Sequence, residues 1–508
     1  MGKVRRLLDR ILEPIPWYVL LVFALAMRVE HRVHFPNIYL DTQVQMVLAD
    51  RMLAGESWAL PRIDTTVQAW QIVEEDMHRF VPAYVWGMAA IYQVTENWVQ
   101  AAIGVDILGL ILIFWGLHMI FSQWGRVGGL GYKMWWIFLA ISPAPLHYLT
   151  GSGMLALGFF LVGLACWARE WEKRRLSVLL VVGLVCIVLS IWVRAAYLPL
   201  LGVIPLVYFY QFRWRQTIQI WGLMVLSGVV FGTGVGLMIV WQSQGPSYLP
   251  GQSHGFFPSH LIYLDPFPLK SLIYWGVPHE QRLYQTHPGW VWGGRVLAWV
   301  ISLGLCVQLY RILRGLSRDW QVMVGCLILL NVGSLVYLSL VWPPEDWNWI
   351  GFWTFVMEPR YFVPSMILMA ALWFGHSFEG ISFPQKKILR LFLVILTILA
   401  YTYPLYIKVQ TYIVEPEISL THYMEWMQTE AQPDFLISPD PLYVLGTEGV
   451  ISIPYKEAER MLPYFEGEGT LWLLYDRGML DESFQGYKWE KVKDWRDFEV
   501  YRWKGRIE

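Results

Sequence analysis

The chain has 508 residues, of which 56% are hydrophobic and 16% are charged, whereas an ordinary soluble protein has about 25% charged residues. This composition excludes a water-soluble globule, a disordered chain and a coiled coil, and it indicates a polytopic membrane protein. The net charge of −1 conceals a division, since residues 1–408 carry +8 and residues 409–508 carry −9. The acidic tail excludes the clustered basic surface that nucleic-acid binding requires.

Clusters of basic residues separate the apolar segments and predict the orientation of the chain. Lys and Arg near the ends of spans stay in the cytoplasm, so the basic N-terminal segment, residues 3–10, places the N-terminus inside. When every later cluster is also assigned to the cytoplasm, the sequence predicts about eleven spans and an external C-terminus. The predicted spans are residues 15–35, 100–121, 134–149, 153–168, 176–193, 197–210, 217–241, 291–310, 320–342, 361–379 and 388–407.

The predicted fold class is therefore mainly α, a polytopic bundle of membrane helices in residues 1–408 with external loops at 34–98 and 243–290. Within the first loop, the apolar run Phe80–Val94 is interpreted as a helix at the external face, because counting it as a span would reverse every later loop. Residues 409–508 alternate short β-like runs with a helix-like stretch, which predicts a small external α/β domain. The β-like runs are 434–438, 449–453 and 470–475, and the helix-like stretch is 455–465.

The second external loop, 243–290, carries seven prolines, too many for a spanning helix. Its histidines and Asp265 invite a zinc interpretation, but no pair has the spacing of a helical or tight-turn ligand set. A proline-rich lid over an active site and an inert loop both remain open. If the loop is a lid, we expect Lys270 or a histidine such as His260 to contact donor or acceptor.

Several short motifs follow one another in a recognisable order. The first span ends near Arg28, and Asp41 then starts a helix that ends in Met-Leu-Ala-Gly. Later motifs are His78-Arg-Phe-Val-Pro-Ala-Tyr84, Ala140-Ile-Ser-Pro143, Glu358-Pro-Arg-Tyr-Phe-Val-Pro364 and, in the tail, Ile437-Ser-Pro-Asp-Pro-Leu-Tyr443. This order resembles the GT-C superfamily of integral-membrane glycosyltransferases, in particular the branch of protein O-mannosyltransferases and lipid A aminoarabinose transferases.

The resemblance implies an inverting glycosyltransferase that uses a polyprenyl-phosphate sugar as donor at the external face of the bilayer. It assigns Asp41 as the general base for the acceptor hydroxyl. Cationic side chains then stabilise the charge that builds on the leaving phosphate. The candidates are Arg360, His78, Arg79 and Arg194, and Tyr361 beside the first of them is a further substrate contact.

Each of these residues also has an interpretation without function. Asp41 can be a simple N-cap, Arg360 an ion-pair partner of an acid nearby in sequence, and Arg194 a snorkelling side chain. His78 and Arg79 can be solvated charges beside the acidic run Glu74–Asp76. That run also supplies the candidates for a second catalytic acid, because the segment after the Ser-Pro motif lacks the polar group that relatives often carry there.

The predicted function is transfer of a sugar to an extracytoplasmic protein, lipid or glycan, without metal or other cofactor, in a bacterial plasma membrane. The rival from another class is a transporter or a flippase for lipid-linked sugars. Against it, the sequence shows no corresponding halves of the kind that transporters have, and Asp106 is the clear acid deep in a span. A non-catalytic assembly subunit is the third alternative.

Overall fold

The computed structural model describes the following residues: 14–34, 40–64, 67–78, 80–141, 149, 152–173, 176–212, 218–244, 300, 303–304, 306–341, 363–377, 426–438, 450–467, 469–476, 482–494 and 498–507. Contacts divide the chain into two units. The helical unit comprises Met1–Val33, Ile107–Ile239 and Leu249–Ile407, and the sheet unit comprises His34–Asp106, Val240–Tyr248 and Lys408–Glu508.

Helices dominate the described part of the first 377 residues. They are α1 (Trp17–His34), α2 (Leu40–Leu53), α3 (Pro82–Thr95), α4 (Trp98–Gln123), α5 (Leu130–Ile141), α6 (Gly153–Lys173), α7 (Val178–Val193), α8 (Val203–Phe212), α9 (Ile218–Gln242), α10 (Arg318–Val341) and α11 (Val363–Ser377). Among the described residues, three segments are long and apolar enough to cross a bilayer, namely Trp98–Gln123, Gly153–Lys173 and Trp221–Gln242. The total of eleven spans stays a prediction, and span 388–407 lies outside the described residues.

Glycines bring the helices of the helical unit into close contact. A Cβ atom on Gly109 of α4 would lie 2.7 Å from the backbone of Met154 and Leu155 in α6. One on Gly163 of α6 would lie 2.7 Å from the carbonyl oxygen of Gly183 in α7. Such small residues let helix backbones approach in a membrane, where burial of apolar surface gives little driving force and packing gives most of it.

The predicted span 197–210 differs from a regular α-helix. Residues Ala195–Gly202 form a 3₁₀ helix that contains Pro199, and the α-helical geometry of α8 begins only at Val203. Proline has no N–H to donate to the preceding turn and its ring clashes with the carbonyl four residues back. The segment therefore takes the tighter helical form until it has passed the proline.

A hairpin in the sheet unit was not predicted from the sequence. Strand β1 (Ala59–Ile63) pairs antiparallel with β2 (Ile72–Asp76), with Ala59 opposite Asp76 and Ile63 opposite Ile72. The hairpin joins α2 to α3, and α3 confirms that the run Phe80–Val94 is helical. Its position at the external face stays a prediction.

The C-terminal part of the sheet unit is a five-stranded mixed sheet. Its strands are β3 (Phe435–Ser438), β4 (Ile451–Pro454), β5 (Leu471–Asp476), β6 (Tyr487–Asp494) and β7 (Phe498–Arg506), in the order β4-β3-β5-β7-β6. Strands β4, β3 and β5 are parallel, whereas β7 runs antiparallel to both β5 and β6. The three predicted β-like runs are confirmed, and helix α12 (Tyr455–Met461) with a short 3₁₀ turn confirms the helix-like stretch. Strands β6 and β7 were not predicted.

The hairpin contributes side chains to the core of this sheet. Ile63 of β1 is buried in the same cluster as Ile437, Ile453 and Leu473. Trp70, in the loop between β1 and β2, lies 5.2 Å from the ring of Phe435 and 4.7 Å from that of Phe465, centroid to centroid. The hairpin, with the loop between its strands, and the C-terminal sheet therefore share one hydrophobic core.

Candidate active site

The structure describes three of the predicted site residues. Asp41 and His78 belong to the sheet unit, and Arg194 belongs to the helical unit. The other predicted residues lie outside the described residues; they are Arg79, His260, Lys270, Arg360 and Tyr361.

Asp41 lies in the first turn of α2, as predicted, and its side chain is half-buried. The positive end of the helix dipole stabilises a carboxylate at this position. The next turn is unusually polar for a buried segment, since Thr42, Gln43 and Gln45 are each at most 2% exposed. The start of α2 can thus hold a fixed carboxylate beside other buried polar groups, which is what a general base for a hydroxyl nucleophile needs.

His78 is held by Asp76, the last residue of β2. The backbone N–H of His78 donates to Asp76 Oδ1 at 2.9 Å, and His78 Nδ1 lies 2.8 Å from Asp76 Oδ2. A carboxylate only accepts, so Nδ1 carries the proton and Nε2 is left to contact a ligand. The histidine is therefore more than a solvated loop charge, because its ring has a defined orientation and a proton on Nδ1.

Two tryptophans pack around this histidine. The ring of Trp241 lies 4.9 Å from that of His78 and 5.1 Å from that of Trp58, centroid to centroid. Both indoles are also fixed through their Nε1 atoms, which donate to the carbonyl oxygens of Phe80 and Met77 respectively. The cluster presents half-buried aromatic faces beside an oriented imidazole, an arrangement that can stack on an apolar or sugar ring.

The acidic run before His78 is engaged in several contacts. Glu74 accepts a hydrogen bond from Ser57 and forms an ion pair with Arg51, and these interactions hold the pKa of the Glu74 carboxyl below its usual value. Glu75 forms an ion pair with Arg62, with 3.2 Å between Oε2 and Nη1. An acid with a lowered pKa is a poor proton donor, so Glu74 does not suit the role of a second catalytic acid.

Arg194 lies directly after α7, where its backbone N–H caps the helix by donating to Ser190 O at 3.0 Å. Its guanidinium packs on the start of α6, since a Cβ atom on Gly153 would lie 3.4 Å from Arg194 Nη1. Tyr197 adds a hydroxyl that donates to the carbonyl of Gly153 at 3.4 Å. The side chain therefore has a fixed place beside a helix N-terminus, where an anion is favoured.

Two further arginines of the helical unit contact backbone carbonyls and were not among the predicted site residues. Arg28 and Arg32 of α1 donate to the carbonyl oxygens of Ala140 and Leu149. The sequence shows the charges near the end of the first span. It does not show these contacts, because the acceptors lie 112 and 117 residues further along the chain.

An apolar cavity of about 780 Å³ lies between the 3₁₀ segment, α8 and α9 of the helical unit. Its polar lining residues are Tyr208 and Ser227, whose hydroxyl oxygens lie 2.6 Å apart, while Trp167 Nε1 donates to Tyr208 at 3.1 Å. These hydroxyls satisfy one another, so the cavity suits a hydrocarbon chain and offers no group for chemistry. Elsewhere in the described ranges, no three His, Cys, Asp or Glu side chains gather as metal ligands would.

Comparison with solved structures finds a likeness that spans nearly the whole chain. The chain is similar to the crystal structure of ArnT from Cupriavidus metallidurans bound to undecaprenyl phosphate, with a TM-score of 0.54. The likeness covers 96% of this chain and 98% of that chain at 13% sequence identity. The chain has the ArnT fold. No sequence-family model matches it, and no curated protein matches it by sequence.

Proposed function

We propose that the protein is an inverting glycosyltransferase that moves a sugar from a polyprenyl-phosphate donor to an extracytoplasmic protein, lipid or glycan. The observation that carries this proposal is the likeness to ArnT over nearly the whole of both chains, in a structure that holds undecaprenyl phosphate. The order of motifs along the sequence independently supports a GT-C enzyme. The apolar cavity adds a place of the right chemistry for part of an isoprenoid chain.

Asp41 is the general base of the proposed reaction. It removes the proton of the acceptor hydroxyl as the oxygen attacks the anomeric carbon from the face opposite the phosphate. The bond between the anomeric carbon and the phosphate oxygen breaks, and the polyprenyl phosphate leaves with the electron pair. The transferred sugar therefore has inverted configuration.

Cations stabilise the charge that develops on the departing phosphate. His78, which as an imidazolium donates from Nδ1 to Asp76 and from Nε2 to the phosphate, and Arg194, fixed against the start of α6, are the described members of this set. Arg79 and Arg360 complete it in the proposal, and Lys270, His260 and Tyr361 contact donor or acceptor. The reaction needs no metal ion, and the site faces outward from the plasma membrane, with the N-terminus in the cytoplasm.

The proposal is tested by transfer of label from radiolabelled polyprenyl-phosphate sugars to an envelope extract, with full-length protein in lipid nanodiscs. We expect Asp41→Asn to lower the rate at least about a hundredfold, since general-base catalysis contributes roughly 10²–10⁴-fold. Asp50→Asn is the matched control, because Asp50 lies on the same helix away from its N-terminus, and it should leave the rate within about twofold of wild type.

A transfer rate that is unchanged in Asp41→Asn would contradict the role of this residue as general base, whereas the proposed glycosyltransferase activity would still stand. Absence of transfer with every donor, from a protein that unfolds cooperatively and is therefore folded, would contradict the proposed function. The transporter or flippase would then be the better interpretation. A fluorescent lipid-linked sugar that crosses vesicles containing the protein would distinguish that activity from an assembly subunit.

A further inference from the structure

The hairpin of β1 and β2 has the contact between Asp76 and His78 at one end and its loop at the other. Ala59 pairs with Asp76 at the open end, and Ile63 pairs with Ile72 beside the loop. The two ends lie roughly 13 Å apart, because each of the four steps along a strand advances the chain by about 3.3 Å. A two-stranded hairpin is at best marginally stable by itself, so contacts with the rest of the protein determine its position.

The loop end of the hairpin is held by the C-terminal sheet. Ile63 is 2% exposed and belongs to the hydrophobic core of that sheet. The indole of Trp70 packs edge-to-face with Phe435 of β3 and lies 4.7 Å from the ring of Phe465, centroid to centroid. Trp70 Nε1 has no hydrogen-bond partner among the described residues. Packing against the aromatic rings of the sheet therefore holds this indole.

Charged side chains bring a helix of the C-terminal sheet close to the same hairpin. Arg62 of β1 and Glu75 of β2 form an ion pair, with 3.2 Å between Nη1 and Oε2. The half-buried carboxylate of Glu457 in α12 interacts electrostatically with both of them. The C-terminal part of the sheet unit therefore contacts the strands of the hairpin as well as its loop.

The open end of the hairpin has polar contacts with α2 and the residues that follow it. Arg51 forms an ion pair with Glu74, and the hydroxyl of Ser57 donates to the same carboxylate at 2.6 Å. The side chain of Glu74 is 53% exposed, and an exposed ion pair contributes little because water and salt screen it. The contacts of Ile63 and Trp70 remove apolar surface from water, so they stabilise the position of the hairpin more than this ion pair does.

We infer that the C-terminal sheet positions His78 through the hairpin, with Trp70 as the positioning residue. This inference rests on the proposed function and deepens it, since it gives the C-terminal sheet a part in the site of the reaction. His78 follows Asp76 by two residues, and its ring lies 4.9 Å from that of Trp241, centroid to centroid. A hairpin that is released at its loop shifts Asp76 at its other end, and the imidazole then leaves its place beside Trp241.

The first measurement requires no sugar transfer. Full-length protein in lipid nanodiscs is treated with diethyl pyrocarbonate, which modifies accessible neutral imidazoles, and the modification of His78 is followed by mass spectrometry. We expect it to be at least about threefold faster in Trp70→Ala, because a hairpin that opens more often uncovers a side chain that is 15% exposed in the structure. Amide hydrogen exchange in residues 59–76 should also become at least about threefold faster.

Two variants are the controls for this measurement. Trp70→Phe keeps an aromatic ring at the loop and removes an Nε1 atom that has no partner among the described residues. Trp426→Ala removes a buried indole that packs on Trp472 of β5, 5.7 Å between centroids. The side chain of Trp472 points away from the face of Leu471 and Leu473, which belong to the core that the hairpin shares. Both variants should react at His78 at the wild-type rate.

Sugar transfer then tests the connection to the reaction. We expect Trp70→Ala to lower kcat/KM at least about threefold, and to change it less than about 1.5-fold when His78 is already alanine, because a residue that acts through His78 has no effect without it. A variant that only reduced the amount of folded enzyme would lower transfer by the same factor in both backgrounds. Trp70→Phe should restore the wild-type rate.

Faster exchange in the hairpin of Trp70→Ala with unchanged modification of His78 would overturn the inference. So would hairpin exchange at the wild-type rate, or an equal loss of transfer with and without His78. If Trp70→Ala does not fold, Trp70→Leu decides the question by the same measurements. Absence of transfer by the wild type would contradict the proposed function, whereas the modification of His78 would still decide whether the sheet positions it. The two failures are therefore distinguishable.

Discussion

The contact between Asp76 and His78 gives the sharpest test of how the hairpin serves the proposed reaction. In Asp76→Asn, one amide oxygen can still accept from the backbone N–H of His78. The other position becomes an NH₂ group, which cannot accept from Nδ1–H. The ring must then lose the proton on Nδ1 or turn away from Asp76, and in either case Nε2–H of the imidazolium no longer donates to the donor phosphate as proposed.

The expected size of the effect follows from the geometry. The distance between Nδ1 and Oδ2 is 2.8 Å, and the side chains of His78 and Asp76 are 15% and 32% exposed. A hydrogen bond to a charged group is worth ~1.5–3 kcal/mol, and the partial exposure favours the lower end because water screens the pair. A loss of ~1.5 kcal/mol corresponds to roughly a tenfold fall in kcat/KM.

The assay is sugar transfer by wild type, Asp76→Asn, His78→Ala and the double variant. If Asp76 acts by positioning His78, the change at Asp76 has no further effect once His78 is alanine. Glu75→Gln is the control, since Glu75 points to the other face of β2 and its exposed ion pair with Arg62 is worth at most ~1 kcal/mol. A tenfold loss from Asp76→Asn that persists in the His78→Ala background would refute the positioning role.

Two further predictions concern stability. Gly163→Ala places a Cβ atom 2.7 Å from Gly183 O, so it should destabilise the protein by ~1–3 kcal/mol and lower the unfolding temperature in detergent. Gly232→Ala is the control and should leave the unfolding temperature unchanged, because no heavy atom lies within 4 Å of the new Cβ atom. Equal unfolding temperatures for the two variants would contradict the packing argument. Burial raises the pKa of Glu457 in the folded protein. Above that pKa, the ionised carboxylate lowers the free energy of unfolding, and this loss disappears below the unfolded-state pKa of ~4.3, where the group is protonated in both states. Glu457→Gln should therefore raise the unfolding midpoint at pH 7 but not at strongly acidic pH, and a lower midpoint at pH 7 would disprove the sign.

The long apolar helices could be predicted because composition alone determines them in a bilayer. Residues 100–121 were predicted for α4, which runs from Trp98 to Gln123, and 217–241 for α9, which runs from Ile218 to Gln242. Strand β2 could not be predicted, because three acids in five residues suppress the alternation of apolar and polar residues that is typical of a strand. Its hairpin is stabilised through Ile63 and Trp70 by a sheet that forms from a distant part of the chain.

In the candidate site too, contacts between residues near in sequence could be predicted better than contacts between distant residues. Resemblance to a family pointed to His78, and the Asp76 contact is local enough to follow from two acceptor oxygens placed two residues earlier. Arg28 and Arg32, by contrast, donate to carbonyls in a different helix and in the segment after it. Nothing in the local sequence indicates which backbone atoms a buried guanidinium will contact, so these two contacts could not be predicted.

The shared core of the hairpin and the C-terminal sheet sets an order of events during synthesis. Trp70 leaves the ribosome about 365 residues before Phe435, its ring partner, which at 5–20 residues per second is a delay of roughly 20–70 s. During that interval the indole and Ile63 have no sheet to cover them. We therefore expect the hairpin to lack its core partners until the C-terminal strands have emerged, and a chain truncated before Phe435 to leave Trp70 and Ile63 without them.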